Sequence, residues 1–332
     1  MNEEIKKNID DTNVDQVLRP AAWDEYVGQE KIKDNLRVII DAAQKRGEAM
    51  DHILFSGPAG LGKTTLAFLV AKEMGAPVRT TSGPALEKMG DMAAILTNLE
   101  PGEVLFIDEA HRINRLIEEV LYPAMEMRKL HLVIGKGPSA RTLTLDLPPF
   151  TLVAATTREN LLSHPLRSRF GAILRLDYYT EDNIKKILER SSKILGIEMA
   201  PEGVEVLARA ARATPRIANR LLKRARDYAE IHGTGMIDGA IAKKALEMLD
   251  VDEAGLEPSD RKLLLTIVEK FGGGPVGVNT LAAALNEEKG VIEDIYEPYL
   301  MSLGFLQRTS AGRMVLPPAY EHLKIKKPGG LL

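Results

Sequence analysis

The chain has 332 residues, 45% of them hydrophobic and 27% charged, which suits two or three packed domains. A net charge of −3 argues against a general nucleic-acid coat protein, although a local basic surface is still possible, and the absence of cysteine excludes disulfides, thiolate metal sites and cysteine nucleophiles. No run approaches the roughly 18 apolar residues of a membrane span, and the charged start over residues 1–11 predicts no signal peptide, so a soluble cytosolic chain is expected.

The first part alternates short apolar runs with helical stretches, the pattern of a parallel α/β sheet. His52-Ile53-Leu54-Phe55-Ser56 predicts a buried strand, followed by a glycine-rich turn and a helix over residues 64–74. Glu103-Val104-Leu105-Phe106-Ile107 predicts a second strand and Thr151-Leu152-Val153-Ala154-Ala155 a third. Between them, residues 130–147 alternate in two arms around Gly135-Lys136-Gly137-Pro138, which predicts a β-hairpin. Strand signals then stop. Residues 181–195, 202–213, 216–232 and 238–249 carry helical spacing and predict a small helical domain. Residues 250–258 are acidic, with Gly255 and Pro258, and suggest a linker. Helices over 260–271, 280–285 and 291–303, then a hairpin over 305–316, suggest a winged helix. The expected domains are residues 1–179, 180–252 and 256–332.

Gly57-Pro58-Ala59-Gly60-Leu61-Gly62-Lys63-Thr64 satisfies the phosphate-loop pattern and sits between a strand and a helix, as that pattern requires. Its glycines, Gly60 and Gly62 among them, let backbone N–H groups turn toward phosphate oxygens, and the next helix offers its positive N-terminus. Lys63 would place a charge on the outer phosphates of ATP, and Thr64 would hold Mg2+. Asp108-Glu109 directly follows the second strand: Asp108 would orient the magnesium and Glu109 would polarise the attacking water. Thr156, at the end of the third strand, can reach the terminal phosphate. Arg169, in a loop beyond the sheet, can donate to a neighbouring subunit's phosphate, although for this residue taken alone a surface salt bridge is the simpler explanation. Arg216 opens a helix of the helical domain, where it could sense nucleotide.

The DNA-facing features lie near the end. The third winged-helix element carries Glu293, Asp294 and Glu297, acids that would repel phosphate in a major groove, with Pro298 inside it. Arg308 and Arg313 flank Ser310-Ala311-Gly312, and Lys289 precedes the helix; such cations can hold the DNA backbone without reading sequence.

The chain resembles the RuvB family of bacterial branch-migration ATPases, from Leu18 to about His322. The carrying stretches are Leu18-Arg19-Pro20, Tyr26-Val27-Gly28-Gln29, the phosphate loop, Asp108-Glu109-Ala110-His111-Arg112, Gly135-Lys136-Gly137-Pro138-Ser139-Ala140-Arg141, Ala155-Thr156-Thr157-Arg158, residues 166–171 and Gly304-Phe305-Leu306-Gln307-Arg308-Thr309. The resemblance implies an AAA+ core, a helical lid and a winged helix. It implies that Leu18, Arg19 and Tyr179 line the nucleotide pocket with Gly60, Lys63, Thr64, Thr65 and Arg216. Glu126, Met127 and Arg128 match a segment that meets the adjoining subunit's nucleotide beside Arg169. Met127 and Arg128 depart from the family's usual acidic and aromatic residues there, and Ala154 stands where glycine is usual. The resemblance also implies a homohexamer around duplex DNA, docked on RuvA through the 130–147 hairpin, with the resolvase RuvC as a further partner. A clamp-loader-like ATPase is the alternative within the same fold. A protein unfoldase would need an aromatic pore loop, for which Lys88-Met89-Gly90 is a poor match, and a nucleotide-regulated transcription factor conflicts with the acidic third helix.

Overall fold

A computed structural model of the chain describes residues 14–134, 141–233 and 235–326. It divides into two compact units, one of Arg19–Tyr179 and one of Thr180–Leu332 with the segment through Leu18.

The first unit is a five-stranded parallel sheet in the order β2-β3-β6-β1-β7. The strands are β1 (Ile53–Ser56), β2 (Val78–Ser82), β3 (Val104–Asp108), β6 (Thr151–Thr156) and β7 (Ala172–Arg175). Helices α1 (Glu30–Arg46), α2 (Lys63–Glu73), α3 (Met89–Thr97) and α4 (Arg115–Met127) complete the α/β fold. Every residue of β1 and β6 is buried, and apart from Ser56, Thr151 and Thr156 at their ends both strands are apolar, as a parallel strand covered on both faces requires. One core joins Leu54, Leu105, Ile107, Leu152 and Ala154 of the sheet to Met92, Leu96, Ile117, Leu121 and Ala124 of α3 and α4. The small Ala154, 2% exposed, fits without disturbing that layer.

The predicted hairpin forms as β4 (Lys129–Ile134) and β5 (Arg141–Asp146); its tip, residues 135–140, lies outside the described residues. Leu130 pairs with Leu145 and Leu132 with Leu143, so these leucines share one face. Leu130 is fully buried, Leu132 and Leu145 pack on the core in part, and Leu143 is 42% exposed.

The second unit holds helices α5 (Glu181–Leu195), α6 (Pro201–Ala210), α7 (Pro215–His232) and α8 (Gly239–Met248), with a small parallel pair, β8 (Glu198–Met199) and β9 (Met236–Ile237). α6 stops before the predicted residue 213, because Arg212 and Ala213 take left-handed backbone angles. A winged helix follows: α9 (Pro258–Phe271), α10 (Val278–Leu285), α11 (Glu297–Ser302), the hairpin β10 (Leu306–Thr309) and β11 (Gly312–Val315), and α12 (Pro317–His322). Its third helix runs without a break over residues 289–302, close to the predicted 291–303, and it widens into a π-turn at Ile292–Tyr296 ahead of Pro298, which has no N–H to give and whose ring crowds the carbonyl four residues back. The predicted linker at 250–258 forms no helix or strand before Pro258, but it is tied down: Leu256 is fully buried, and Asp252 Oδ1 accepts the N–H groups of Ala254 (3.0 Å) and Leu256 (2.8 Å).

Candidate functional site

Three adjacent inner strands bring the candidate ATP residues together at the carboxyl end of the sheet. β6 lies between β1 and β3, so Thr156 falls between the phosphate loop after β1 and Asp108 at the end of β3. Ser56 pairs with Thr156, and the Gly57 N–H donates to the Thr156 carbonyl at 3.2 Å, which fixes the loop against β6. Gly62 caps α2 at φ +98°, and a Cβ there would lie 2.7 Å from the Tyr26 hydroxyl. Only glycine accommodates both the angle and that contact.

Tyr26 and Tyr179 support the loop together. Tyr26 donates to the Leu61 carbonyl at 3.3 Å, and the Tyr179 hydroxyl lies 3.1 Å from that of Tyr26. Burial pushes the Tyr26 phenol well above its ordinary range and raises Tyr179 to about 12, so both remain neutral donors. Lys63 is buried and donates to the carbonyls of Gly57 (2.6 Å) and Pro58 (2.8 Å). Thr65 is half-buried one residue beyond Thr64 in α2, and Arg19 is exposed.

Thr64 Oγ1 is 3.4 Å from Asp108 Oδ2, while Asp108 Oδ1 accepts the Glu109 N–H at 2.9 Å. A hydroxyl and a carboxylate so close, beside a helix N-terminus suited to phosphate, form a hard-oxygen donor set that fits Mg2+. Among the described residues, no group of three or more His, Cys, Asp or Glu side chains could hold a metal alone. Magnesium beside a nucleotide needs no such cage, because phosphate and water complete its shell.

Glu109 has left-handed backbone geometry (φ +49°), and Gly83 sits against it: a Cβ on Gly83 would lie 2.3 Å from the Glu109 carbonyl oxygen. Its carboxylate Oε2 is 3.3 Å from His111 Nε2, and His111 Nδ1 is 3.0 Å from Thr156 Oγ1. Thr156 Oγ1 also accepts the Arg158 N–H at 3.0 Å.

Arg169 follows the short helix His164–Arg167 and gathers its own cluster. Its guanidinium is 3.1 Å from Glu126, donates to the Pro165 carbonyl at 2.6 Å and stacks over the Tyr122 ring at 4.6 Å. A cleft of about 380 Å³ opens there, lined by Glu126, Arg128, Ser168 and Arg169. Met127 is exposed, and Arg128 caps α4 with φ +53°. Leu18 and Arg216 belong to the second unit. There, Leu18 is buried with its carbonyl accepting from Arg190 at 2.9 Å, and Arg216 is exposed in the first turn of α7.

In the winged helix, Arg308 and Arg313 are cross-strand partners and therefore share a face. The expectation that both stand open beside the turn needs correcting. The Arg313 side chain is 10% exposed and is held by Glu297 (2.6 Å) and Glu293 (3.0 Å). Arg308 also pairs with Glu297, but its side chain is 47% exposed; Lys289 is exposed, 3.9 Å from Glu293. Nor do the acids of the third helix all face outward, since Glu297 is fully buried and its charge is met by two guanidinium groups.

Family models match the chain in three consecutive segments. The Holliday junction DNA helicase RuvB P-loop domain matches residues 18–176, the RuvB AAA lid domain 179–252 and the RuvB C-terminal winged-helix domain 253–324. The chain belongs to the RuvB family. Among solved structures it is similar to the Thermotoga maritima RuvB Holliday junction branch migration motor at 48% identity and TM-score 0.87, covering 94% of this chain and 100% of that one. A lysine-to-arginine mutant of the Thermotoga protein matches at 48% and 0.87, and an arginine-to-alanine mutant at 48% and 0.86, each covering 94% of this chain and 99% of that one.

Family membership makes the chain a nucleotide-binding AAA+ ATP hydrolase and a DNA-binding member of the branch-migration motors. The clamp-loader and unfoldase readings give way to it. No helix among the described residues is long and apolar enough to cross a membrane. Tyr26 and His111 stand in RuvB-like stretches and Glu297 among the acids of the third helix, but the sequence gives none of them, nor Gly83, a part in the site. His111 did carry one signal, an imidazole two residues past Glu109 in a tight turn.

Proposed function

We propose that the chain assembles as a homohexamer on duplex DNA and, docked on RuvA, uses ATP to drive Holliday junction branch migration in cytoplasmic recombination and repair, with RuvC in the same complex. Its working parts would be an ATPase domain at residues 1–179, a lid at 180–252 and a DNA-gripping head at 256–332. The observation that carries this reading is the gathering of Lys63, Thr64, Asp108, Glu109 and Thr156 at the carboxyl end of the sheet, in a chain that also carries a winged helix.

Loop N–H groups and the N-terminus of α2 would bind phosphate, and Lys63 would exchange its loop carbonyls for phosphate oxygens. Mg2+, held by Thr64 and Asp108, supplies charge neutralisation at the phosphates when bound. Glu109 would orient and deprotonate water, and Thr156 would contact the terminal phosphate. Arg169, with Glu126, Met127 and Arg128 around it, would act on the adjoining subunit's nucleotide. Leu18, Arg19, Tyr179 and Arg216 would complete the pocket. Exposed Arg308 and Lys289 would touch DNA phosphates, with Arg313 as the inner member of that cluster.

The test measures ATPase with and without long duplex DNA, then junction dissociation with RuvA present. DNA-stimulated turnover and RuvA-dependent dissociation are expected. Turnover indifferent to DNA, with no dissociation, would refute the motor reading.

A further inference from the structure

Glu109, His111 and Thr156 form a continuous polar chain that the hydrolysis scheme above does not use. Its direction follows from counting protons. Thr156 has one hydroxyl proton, and its oxygen already accepts the Arg158 N–H. A neutral imidazole has one N–H and one lone pair. When Thr156 gives its proton to Nδ1, the ring proton sits on Nε2 and faces the Glu109 carboxylate, the group that prefers a donor. The three groups then satisfy one another: hydroxyl to Nδ1, and Nε2–H to carboxylate.

We propose that His111 is a positioning residue that holds the Glu109 carboxylate until Thr156 engages the terminal phosphate, and then releases it. This rests on Glu109 as the base and Thr156 as the phosphate contact. A hydroxyl that turns its only proton to a phosphate oxygen leaves Nδ1 facing an oxygen lone pair. The ring answers by carrying its proton on Nδ1: one proton leaves Nε2 to water beside the half-exposed Glu109, and one arrives from water at Nδ1. The ring stays neutral and net charge is unchanged. Nε2 now presents a lone pair to the carboxylate, which repels it, and Glu109 is free to take a water. Glu109's backbone cannot drift meanwhile, because Gly83 is packed on its carbonyl. The side chain moves on a fixed base.

The arrangement makes an unusual prediction. Thr156→Val removes the release signal, so Glu109 stays on Nε2–H and kcat falls. Removing the imidazole as well should free the carboxylate and restore part of the rate. With saturating Mg-ATP, Thr156→Val/His111→Leu is expected to exceed Thr156→Val in kcat by at least about tenfold, the factor one charge-assisted hydrogen bond to the base commands. KM for ATP should match between the two. His111→Ala in the same background guards against a Leu variant that folds poorly, and binding of a fluorescent ATP analogue reports an intact pocket. Two losses of merely structural support would add or worsen, so a double mutant at or below Thr156→Val in both backgrounds overturns the proposal. Failure of the underlying reading looks different: Glu109→Gln or Thr156→Val would then turn over normally.

Discussion

In the proposed scheme Lys63 and Glu109 serve different steps at one site. Lys63→Ala removes a buried ammonium that faces the loop and should weaken ATP binding. Glu109→Gln keeps shape and loses the base, so ATP should bind while kcat drops by roughly 100-fold or more. Equilibrium binding and single-turnover hydrolysis separate the two, and normal turnover in Glu109→Gln would end the assignment. Arg169 calls for a mixing experiment. In the structure it is held by Glu126, Pro165 and Tyr122, contacts it must loosen to reach a neighbour. Arg169→Ala should bind ATP and hydrolyse it poorly, and mixing it with Lys63→Ala should recover activity at interfaces that join an intact loop to an intact arginine. Mixed rings that form without any recovery would show that Arg169 does not act in trans. The phosphate loop and Asp108-Glu109 were legible in sequence because that chemistry needs contiguous backbone. His111 and Tyr26 were not, since their partners lie 45 and 35 residues away.

Among elements, the fully buried strands read clearly while the edges did not. β2 mixes Val78 with Arg79, Thr80 and Thr81 at the sheet edge, and β7 has four residues, so neither carries a clean period. The wing was legible in outline only: two arginines beside a turn suggested two open cations, but the fold buries one against Glu297. The two arginine variants should therefore behave differently. Arg308→Ala should fold normally, weaken binding to every duplex and flatten the salt dependence by roughly 0.9 in slope. Arg313→Ala removes the buried guanidinium beside Glu297, leaves that buried carboxylate to the exposed Arg308, and should destabilise the winged helix by about 3–5 kcal/mol. Salt titrations on two unrelated duplexes, with urea unfolding of both variants, decide the matter; equal stability of the two would contradict the burial argument. On the β4–β5 hairpin, the leucine face continues past the core to exposed Leu143. Leu143→Asp should abolish RuvA-dependent junction processing and spare basal ATPase, whereas equal loss of both would indicate misfolding.

At the scale of the whole molecule, the proposed motor must link the part that would sense nucleotide to the part that would grip DNA, and the second unit contains a physical candidate for that link. Arg212, just after α6, donates to both oxygens of Asp260 in α9 (2.7 and 3.3 Å) and stacks over Tyr299 of α11 at 4.5 Å. Its own carbonyl accepts from Thr214, the residue that caps α7, where Arg216 sits. Tyr299 donates to Ala254 at 2.6 Å, and His322 of α12 lies 2.9 Å from Asp252. The residues predicted as a linker are therefore the joint itself, clamped from both sides. Asp260 is fully buried, so Asp260→Ala strands the Arg212 charge and should destabilise the joint by about 3–5 kcal/mol. Amide exchange at Glu257, whose N–H is bound to Asp260 at 2.9 Å, should accelerate first. If the joint transmits force, DNA binding and DNA-free ATPase should survive in this variant while DNA stimulation of ATPase falls. Exchange that quickens without any loss of stimulation would mean that the lid and the head communicate by another route.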